Sequence, residues 1–520
     1  MNAQHEAVKN TSSHDSVYPK YVNQELFIGL VSATGTDLSV FLKALEERLK
    51  YFSYQCNVIR LIELLHEIKR WRDLPETPID ARIDTHMTAG TEFRELLGRG
   101  EGLPILGIGK VMKIRKDISG ATDKAIPRRA YIFHGLKNPS EVELMRGVYG
   151  ESFVLIGIYS PHHLRLDYLS RRIAESRNEF QIDQFRAKAE ELIHRDQQEI
   201  GTKLGQNLRD TFHRADIFVS ASNPEQMQAD IERLADLLFG NSIRTPTRDE
   251  YGMFHAQAAA FRSADLGRQV GASIATKDGD IVAVGTNEVP KAGGGLYWAG
   301  DVPDQRDFVL GYDSNDKSKR NLLADLFERL RKEGWFCEQI ENIGTPEMLA
   351  RAIGTQASFL RKAQFMNLIE FGRAVHAEMA ALTDAARRGV PTKDAILFCT
   401  TFPCHLCAKH IVSAGIRRVV YIEPYPKSLA TQLYPDSIIV EPVVDDGHQV
   451  RFEPFVGVSP LRYMNLFSML ERKDGTGVVI NNEQHSASPR CQSPPTTYLR
   501  NERSSLLWLE RAMTEIGLLP

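Results

Sequence analysis

Two short clusters carry the residues best suited to chemistry. Val375-His376-Ala377-Glu378 and Pro403-Cys404-His405-Leu406-Cys407 offer one imidazole, two thiols and a carboxylate. Zinc takes four ligands in a tetrahedron, and a catalytic site leaves one place for water. His376, Cys404 and Cys407 supply three ligands and leave that place open. Glu378 stands two residues past His376, about 200° away on a helix. It is therefore expected to move protons at the open place and not to bind the metal. A closed structural site would need a fourth protein ligand, for which His405 and His410 are near in sequence. Cys399, in an apolar run, reads as a buried core residue.

These residues need elements to hold them. The pattern predicts helix 375–388, strand 395–400, helix 404–414 and strand 417–422. Cys404 and Cys407 then open a helix just after Pro403, where free amide groups and the helix dipole favour thiolates. Upstream, helix 250–264 precedes a hairpin of 271–275 and 281–285, turned by Lys277-Asp278-Gly279-Asp280. Residues 292–368 interrupt this order with a Gly-Gly-Gly run and a charged helix, Lys319–Glu333, and read as an insertion serving as a lid or interface.

The first 245 residues have a different grammar. A polar leader, 1–22, is expected to be disordered. Strands at 26–31, 56–61, 130–134, 152–159 and 216–221 alternate with helices at 38–50, 139–148, 178–196 and 224–239, which argues for a parallel sheet covered on both faces. Gly29-x5-Gly35-Thr36-Asp37 follows a strand and opens a helix, the setting of a phosphate-binding loop. The loop lacks the lysine of that motif and is one residue longer. Arg165, Arg171 and Arg172 follow a later strand. The expected division is 23–245, then 246–475, then a linker and terminal helix in 476–520. Residues 475–503 read as mobile, with the final helix at 504–516.

The H-x-E … P-C-x-x-C pair resembles the signature of zinc-dependent base deaminases. With Ser263-Ala264-Asp265-Leu266-Gly267-Arg268-Gln269-Val270-Gly271-Ala272 and the G-x-N-x-x-P segment Gly285–Pro290, it resembles the deoxycytidylate deaminase family. That resemblance implies a zinc cofactor, Asn287 as a contact to substrate sugar or base, and Arg268 as a contact to phosphate. Lys291, Arg306, Lys317, Lys319 and Arg320 are further candidates for phosphate recognition. The N-terminal part resembles P-loop nucleotide kinases with a degenerate loop. As a whole, the chain is similar to bacterial anti-phage dCTP/dCMP deaminases. The implied fold is α/β: a parallel-sheet, P-loop kinase-like domain, then a cytidine deaminase-like three-layer α/β/α domain. The implied activity converts dCTP to dUTP and dCMP to dUMP, depleting the cytosine deoxynucleotide pool in defence against phage. Also implied are a regulatory nucleotide at Gly29, Gly35, Thr36 and Asp37, repression by a small RNA in some relatives, and a homo-oligomer. The missing lysine points to nucleotide binding or switching and not to phosphoryl transfer.

Composition trims the alternatives. The chain has 520 residues, 42% hydrophobic and 25% charged, with a net charge of −3. No global positive field favours nucleic acid, and no apolar run is long enough to span a membrane. A cytosolic location is expected. Six cysteines, scattered except for one C-x-x-C, favour a metal or catalytic role over a disulfide framework. A housekeeping dCMP deaminase, a nucleic-acid cytosine or adenine deaminase and a retired nucleotide-sensing scaffold stay as rivals.

Overall fold

Five short apolar runs become the parallel strands β1 (Leu26–Ser32), β2 (Gln55–Arg60), β3 (Arg129–His134), β4 (Phe153–Tyr159) and β5 (Ile217–Ser220), ordered β2-β3-β1-β4-β5. The computed structural model describes residues 24–199, 204–241, 243–354, 359–360, 363–425, 427–441, 447–480, 487–490 and 493–519. The leader 1–22, Ser242 and Cys491 lie outside the described residues. Every residue of β1 is buried, as expected for a strand covered on both faces. Leu26, Ile28 and Leu30 face helices Ser39–Tyr51 and Pro224–Leu238, while Phe27 and Val31 face helices Gly102–Ser119 and Pro139–Tyr149. This is the two-residue alternation of a strand.

Helices Ile79–Leu97 and Gly102–Ser119 were not legible as such. The first buries Asp80, His86, Thr91 and Arg94, and the second carries Pro104, Gly107 and Gly109, so neither shows a clean apolar stripe. The helix expected at 178–196 is shorter, Arg186–Gln197, and is preceded by helix His162–Ser176. Asn178 between them has φ +56°, which breaks helical continuity.

The chain leaves β1 toward β2 on one side and leaves β3 toward β4 on the other. Ligands in open α/β sheets collect at the carboxyl ends of such diverging strands. A cavity of about 590 Å³ lies there, walled by Ser32–Ser39 after β1 and by His134, Gly135 and Lys137 after β3.

The second sheet comprises β6 (Gly271–Ala275), β7 (Ile281–Thr286), β8 (Ile396–Thr401), β9 (Arg418–Glu423), β10 (Ile438–Val440) and β11 (Val450–Pro454), ordered β7-β6-β8-β9-β11-β10. β6 runs antiparallel to β7 and β8, and the other pairs are parallel. Helix Arg248–Ala260 covers one face, with Met253 and Ala256 against Ala275, Phe398 and Val420. Helices Ala377–Arg387 and His405–Ser413 cover the other, against Ala272, Ile274, Leu397 and Cys399. The sheet is thus the middle of three layers.

Glycines set how closely these helices approach. A Cβ on Gly285 of β7 would lie 2.2 Å from the Ala377 carbonyl oxygen and 2.3 Å from the Ala381 nitrogen. Helix Ala377–Arg387, which carries Glu378, therefore rests directly on the strand backbone. Gly285→Ala is expected to push it outward, costing about 1–3 kcal/mol and lowering zinc retention. Thermal melts and metal content check this; wild-type values for both would refute it.

The chain then returns to the first sheet. β12 (Gly457–Val458) pairs antiparallel with β5, and the Val458 amide donates to the Glu250 carboxylate at 2.8 Å. Phe455 meets Phe218 of β5 edge-on at 5.9 Å. The last helix runs Pro495–Glu515, starting well before 504, and packs on helices Gly102–Ser119 and Pro139–Tyr149. The expected division at 475–476 does not coincide with this return. Within the 292–368 insertion, helices Ser314–Lys332 and Thr345–Ile353 form a small core of their own around Leu323, Ala352 and Ile353.

Candidate metal centre

His376 does not sit inside a helix. It is the N-cap of helix Ala377–Arg387, with φ −68° and ψ 153°. The rotation that would separate it from Glu378 on a continuous helix does not apply to an extended residue. An antiparallel bridge fixes this point, with Val375 N donating to Glu288 O at 3.0 Å and Glu288 N to Val375 O at 3.2 Å. Cys404 is likewise the N-cap of helix His405–Ser413, and its sulfur accepts from Cys407 N at 3.5 Å. Two helix N-termini thus converge.

The three donor atoms meet as their chemistry requires. His376 Nδ1 is 3.3 Å from Cys404 Sγ and 3.4 Å from Cys407 Sγ, and all three ligand atoms lie within 4.8 Å of one another. The hydrogen bond from Cys407, the His376 imidazole and the helix amide pull the Cys404 thiol down to about 4, so a thiolate stands ready. The Cys404 contact also raises the His376 imidazole. Glu378 is buried, 4% exposed, with Oε2 3.4 Å from Cys407 Sγ. Burial raises its carboxyl pKa, and the Cys404 sulfur adds to the shift. One imidazole and two sulfurs, gathered at two helix N-termini, are a soft, borderline donor set that suits zinc.

A cavity of about 260 Å³ opens on this centre, lined by His376, Glu378 and Cys404 together with Asn287, Arg268, Arg373, Phe402 and Tyr425. Asn287 and Arg268 are therefore both brought to the centre. Asn287 clasps the entering chain, its Oδ1 accepting from Val270 N at 2.8 Å and its Nδ2 donating to Arg268 O at 2.6 Å. Arg268 forms an ion pair with Glu423.

The insertion walls the cavity with Asp307, Asp313 and Asn315, but none of the five cations proposed there lines it. Arg306 is buried against Asp304, with Nη2 2.6 Å from Oδ2. Lys319 is buried and donates to the Met366 carbonyl at 3.3 Å. Lys291 pairs with Asp301 at 2.7 Å, and Lys317 lies over the Tyr312 ring. The second cation at the cavity is Arg373, 2.7 Å from Asp307, which sequence reasoning missed. Its place three residues before His376 was the available signal.

At the first sheet, Gly35, Thr36 and Asp37 line the 590 Å³ cavity, but Gly29 does not. Gly29 lies inside β1, where a Cβ would stand 2.7 Å from Leu136 and Phe153 side-chain atoms. Its small size serves packing, and no phosphate contact follows from it. Asp37 accepts from Ser39 N at 3.0 Å at the helix start. Arg165 is buried, with Nε donating to Ser160 O at 3.0 Å, and Arg172 lines the cavity. Lys137 supplies a cation beside the loop, but it is held by Asp196 at 2.9 Å, whose carboxylate also takes Thr34 N at 2.7 Å.

Residues 246–423 match the family model described as "Cytidine and deoxycytidylate deaminase zinc-binding region". ComE operon protein 2 of Bacillus subtilis (strain 168) is 45% identical over 53 residues, 10% of this chain and 28% of that protein. The deoxycytidylate deaminase of Enterobacteria phage T4 is 43% identical over 54 residues, again 10% of this chain and 28% of the relative. The chain thus spans under a third of the length of these curated relatives. The crystal structure of dCMP deaminase from cyanophage S-TIM5, in apo form, aligns with 41% of this chain and 100% of that one, at 19% identity and a TM-score of 0.22. No described helix is long and apolar enough to cross a membrane. The matched segment contains His376, Glu378, Cys404 and Cys407, so the centre built by these residues lies inside the region that is similar to the zinc-binding region of cytidine and deoxycytidylate deaminases.

Proposed function

We propose that the chain hydrolytically deaminates deoxycytidine nucleotides, dCTP to dUTP and dCMP to dUMP. The observation that carries this reading is the His376, Cys404 and Cys407 triad with the buried Glu378 at its side. When bound there, zinc supplies the Lewis acidity that makes water a nucleophile at neutral pH. The chain's own residues do the rest. Glu378 takes a proton from the attacking water and gives it to the ring nitrogen beside C4. It then takes the second proton and delivers it to the amino group, so that ammonia leaves and a C4 carbonyl remains. Burial, which raises the carboxyl, suits a group that must both accept and release a proton near neutrality. In this reading Asn287, which lines the cavity, orients sugar or base, and Arg268 and Arg373 meet phosphate.

The cavity argues against a polynucleotide substrate. Asp265, Asp307 and Asp313 share its wall with two cations, Arg268 and Arg373, whereas a single-strand binder tracks the backbone of several nucleotides with an extended positive groove. The zinc-loaded protein should release ammonia from dCTP or dCMP and leave single-stranded DNA intact. Deamination of DNA without mononucleotide turnover would overturn the reading.

The N-terminal half is read as a degenerate P-loop kinase-like domain that binds a regulatory nucleotide in the 590 Å³ cavity. Arg94 supports this: it lines the cavity, is 1% exposed, and its Nη1 lacks a hydrogen-bond partner among the described residues. The loop has no lysine of its own, so γ-phosphate transfer from ATP is not expected. Depletion of the cytosine deoxynucleotide pool in defence against phage, restraint by a small RNA and homo-oligomerisation belong to the same reading. In infected cells, dCTP should fall when the wild-type chain is present and hold when Glu378 is replaced.

A further inference from the structure

Two histidines in the N-terminal half face each other in a way neutral imidazoles do not favour. His66 lies in the short turn Leu61–Glu67, and His86 lies in helix Ile79–Leu97. Their Nε2 atoms are 3.0 Å apart. His66 Nδ1 is 3.0 Å from Arg72 O, and His86 Nδ1 is 2.7 Å from Arg82 O. A carbonyl oxygen only accepts, so both Nδ1 atoms must carry the proton. In the neutral rings both Nε2 atoms are then bare lone pairs. A third acceptor joins them, with Glu76 Oε1 3.1 Å from His66 Nε2 and 3.9 Å from His86 Nε2. Three potential ligand atoms thus converge on one point.

We infer that His66, Glu76 and His86 form a second metal site, one that takes a divalent transition ion of the zinc class. Two imidazoles and one carboxylate are a known zinc donor set that leaves a place open. Ligands with bonds of about 2.0–2.1 Å at tetrahedral angles stand roughly 3.3 Å apart, close to the two shorter separations here. The Nδ1–H groups given to carbonyls are the arrangement that fixes ring orientation and tautomer in metal-binding histidines. Arg82, whose Nε lies 2.8 Å from Glu76 Oε2, holds the carboxylate by its other oxygen. Burial is graded as a site needs: the His86 side chain is 4% exposed, His66 24% and Glu76 60%. Glu76 and His86 are also part of the wall of the 590 Å³ cavity. The open position gives onto that cavity, where an anionic oxygen, phosphate or carboxylate, can complete the shell. The ion also ties the 61–67 turn to helix Ile79–Leu97.

The inference is independent of the deaminase reading and is tested apart from it. In the full chain, His376→Ala, Cys404→Ser and Cys407→Ser together remove the C-terminal centre. That variant should still bind one equivalent of Zn²⁺ or Co²⁺, with the cobalt form showing ligand-field bands and no thiolate charge-transfer band. Adding His66→Ala, a partly exposed position, should abolish the remaining equivalent, and Glu76→Ala should weaken it. Circular dichroism and melting of the His66 and Glu76 variants verify that the fold persists. If the triple variant binds no metal, the contact is a proton shared between imidazoles and the inference fails. It fails equally if metal stays bound after His66→Ala.

Discussion

Glu378→Gln is expected to lower kcat on deoxycytidine nucleotides by roughly 10²–10⁴-fold while leaving zinc content unchanged. The substitution keeps shape and volume but removes the buried carboxylate beside the triad that carries a proton between water, ring nitrogen and leaving ammonia in the proposed reaction. Zinc should stay because His376, Cys404 and Cys407 are intact. The wild-type pH profile should carry a matching signature. Glu378 must be ionised to accept the first proton, and its burial raises the pKa. Activity should therefore fall on the acid side as Glu378 takes up its proton, and that limb should be absent from the residual rate of the variant. Loss of zinc together with activity would reassign Glu378 to the support of the metal. Normal turnover would remove it from the mechanism.

Arg115→Met should destabilise the protein by about 3–5 kcal/mol, read from denaturant unfolding, and should loosen the C-terminal helix first. Arg115 is fully buried between two carboxylates. Its Nε and Nη2 reach Glu25 at 2.9 and 2.8 Å, and Nη2 reaches Glu502 of helix Pro495–Glu515 at 3.0 Å. Tyr498 and Tyr131 add hydrogen bonds to Glu25 at 3.0 and 3.1 Å. Burial works against the charge on Arg115, but Glu502 and Glu25 more than offset it and hold the guanidinium protonated. Without the guanidinium, two buried carboxylates face each other unpaired.

The sign of the pH dependence follows. Burial already pushes Glu502 up against the pull of Arg115. Removing Arg115 raises its folded-state pKa further above the unfolded value, so the folded variant binds the extra proton more readily. The deficit should be fullest at high pH and shrink as pH falls through the raised carboxyl pKa. Hydrogen exchange should show residues 495–515 opening before β1. A variant as stable as wild type, or one whose deficit grows on acidification, would refute this role.

Legibility varied with how much of each signal was local. Cys404, Cys407 and His376 could be read because metal ligation demands particular side chains at fixed spacing, and Pro403 and the flanking strands marked the helix starts. Strands β1, β3 and β4 were legible because two covered faces leave almost no polar position. Helix Ile79–Leu97 was not, since it buries Asp80, His86 and Arg94 toward polar partners instead of showing an apolar stripe. The insertion's cations misled because charge in a sequence does not reveal which cavity a side chain reaches: Arg306 is buried against Asp304 and does not line the cavity at the metal centre. Gly29 misled for a related reason: a glycine needed for packing looks like one needed by a phosphate.

By itself the sequence determined the His-Cys-Cys donor set, the carboxylate beside it and the alternation that builds two sheets. These depend on residue type and near-neighbour spacing. Only the tertiary structure decided that His376 is an extended N-cap, that Arg373 and not the insertion's lysines reaches the cavity, and that Glu502 closes on Arg115 from the far end of the chain. It also brought His66, Glu76 and His86 to one point. Each of these rests on contacts between segments far apart in sequence, or on one backbone angle, and neither is written in local periodicity.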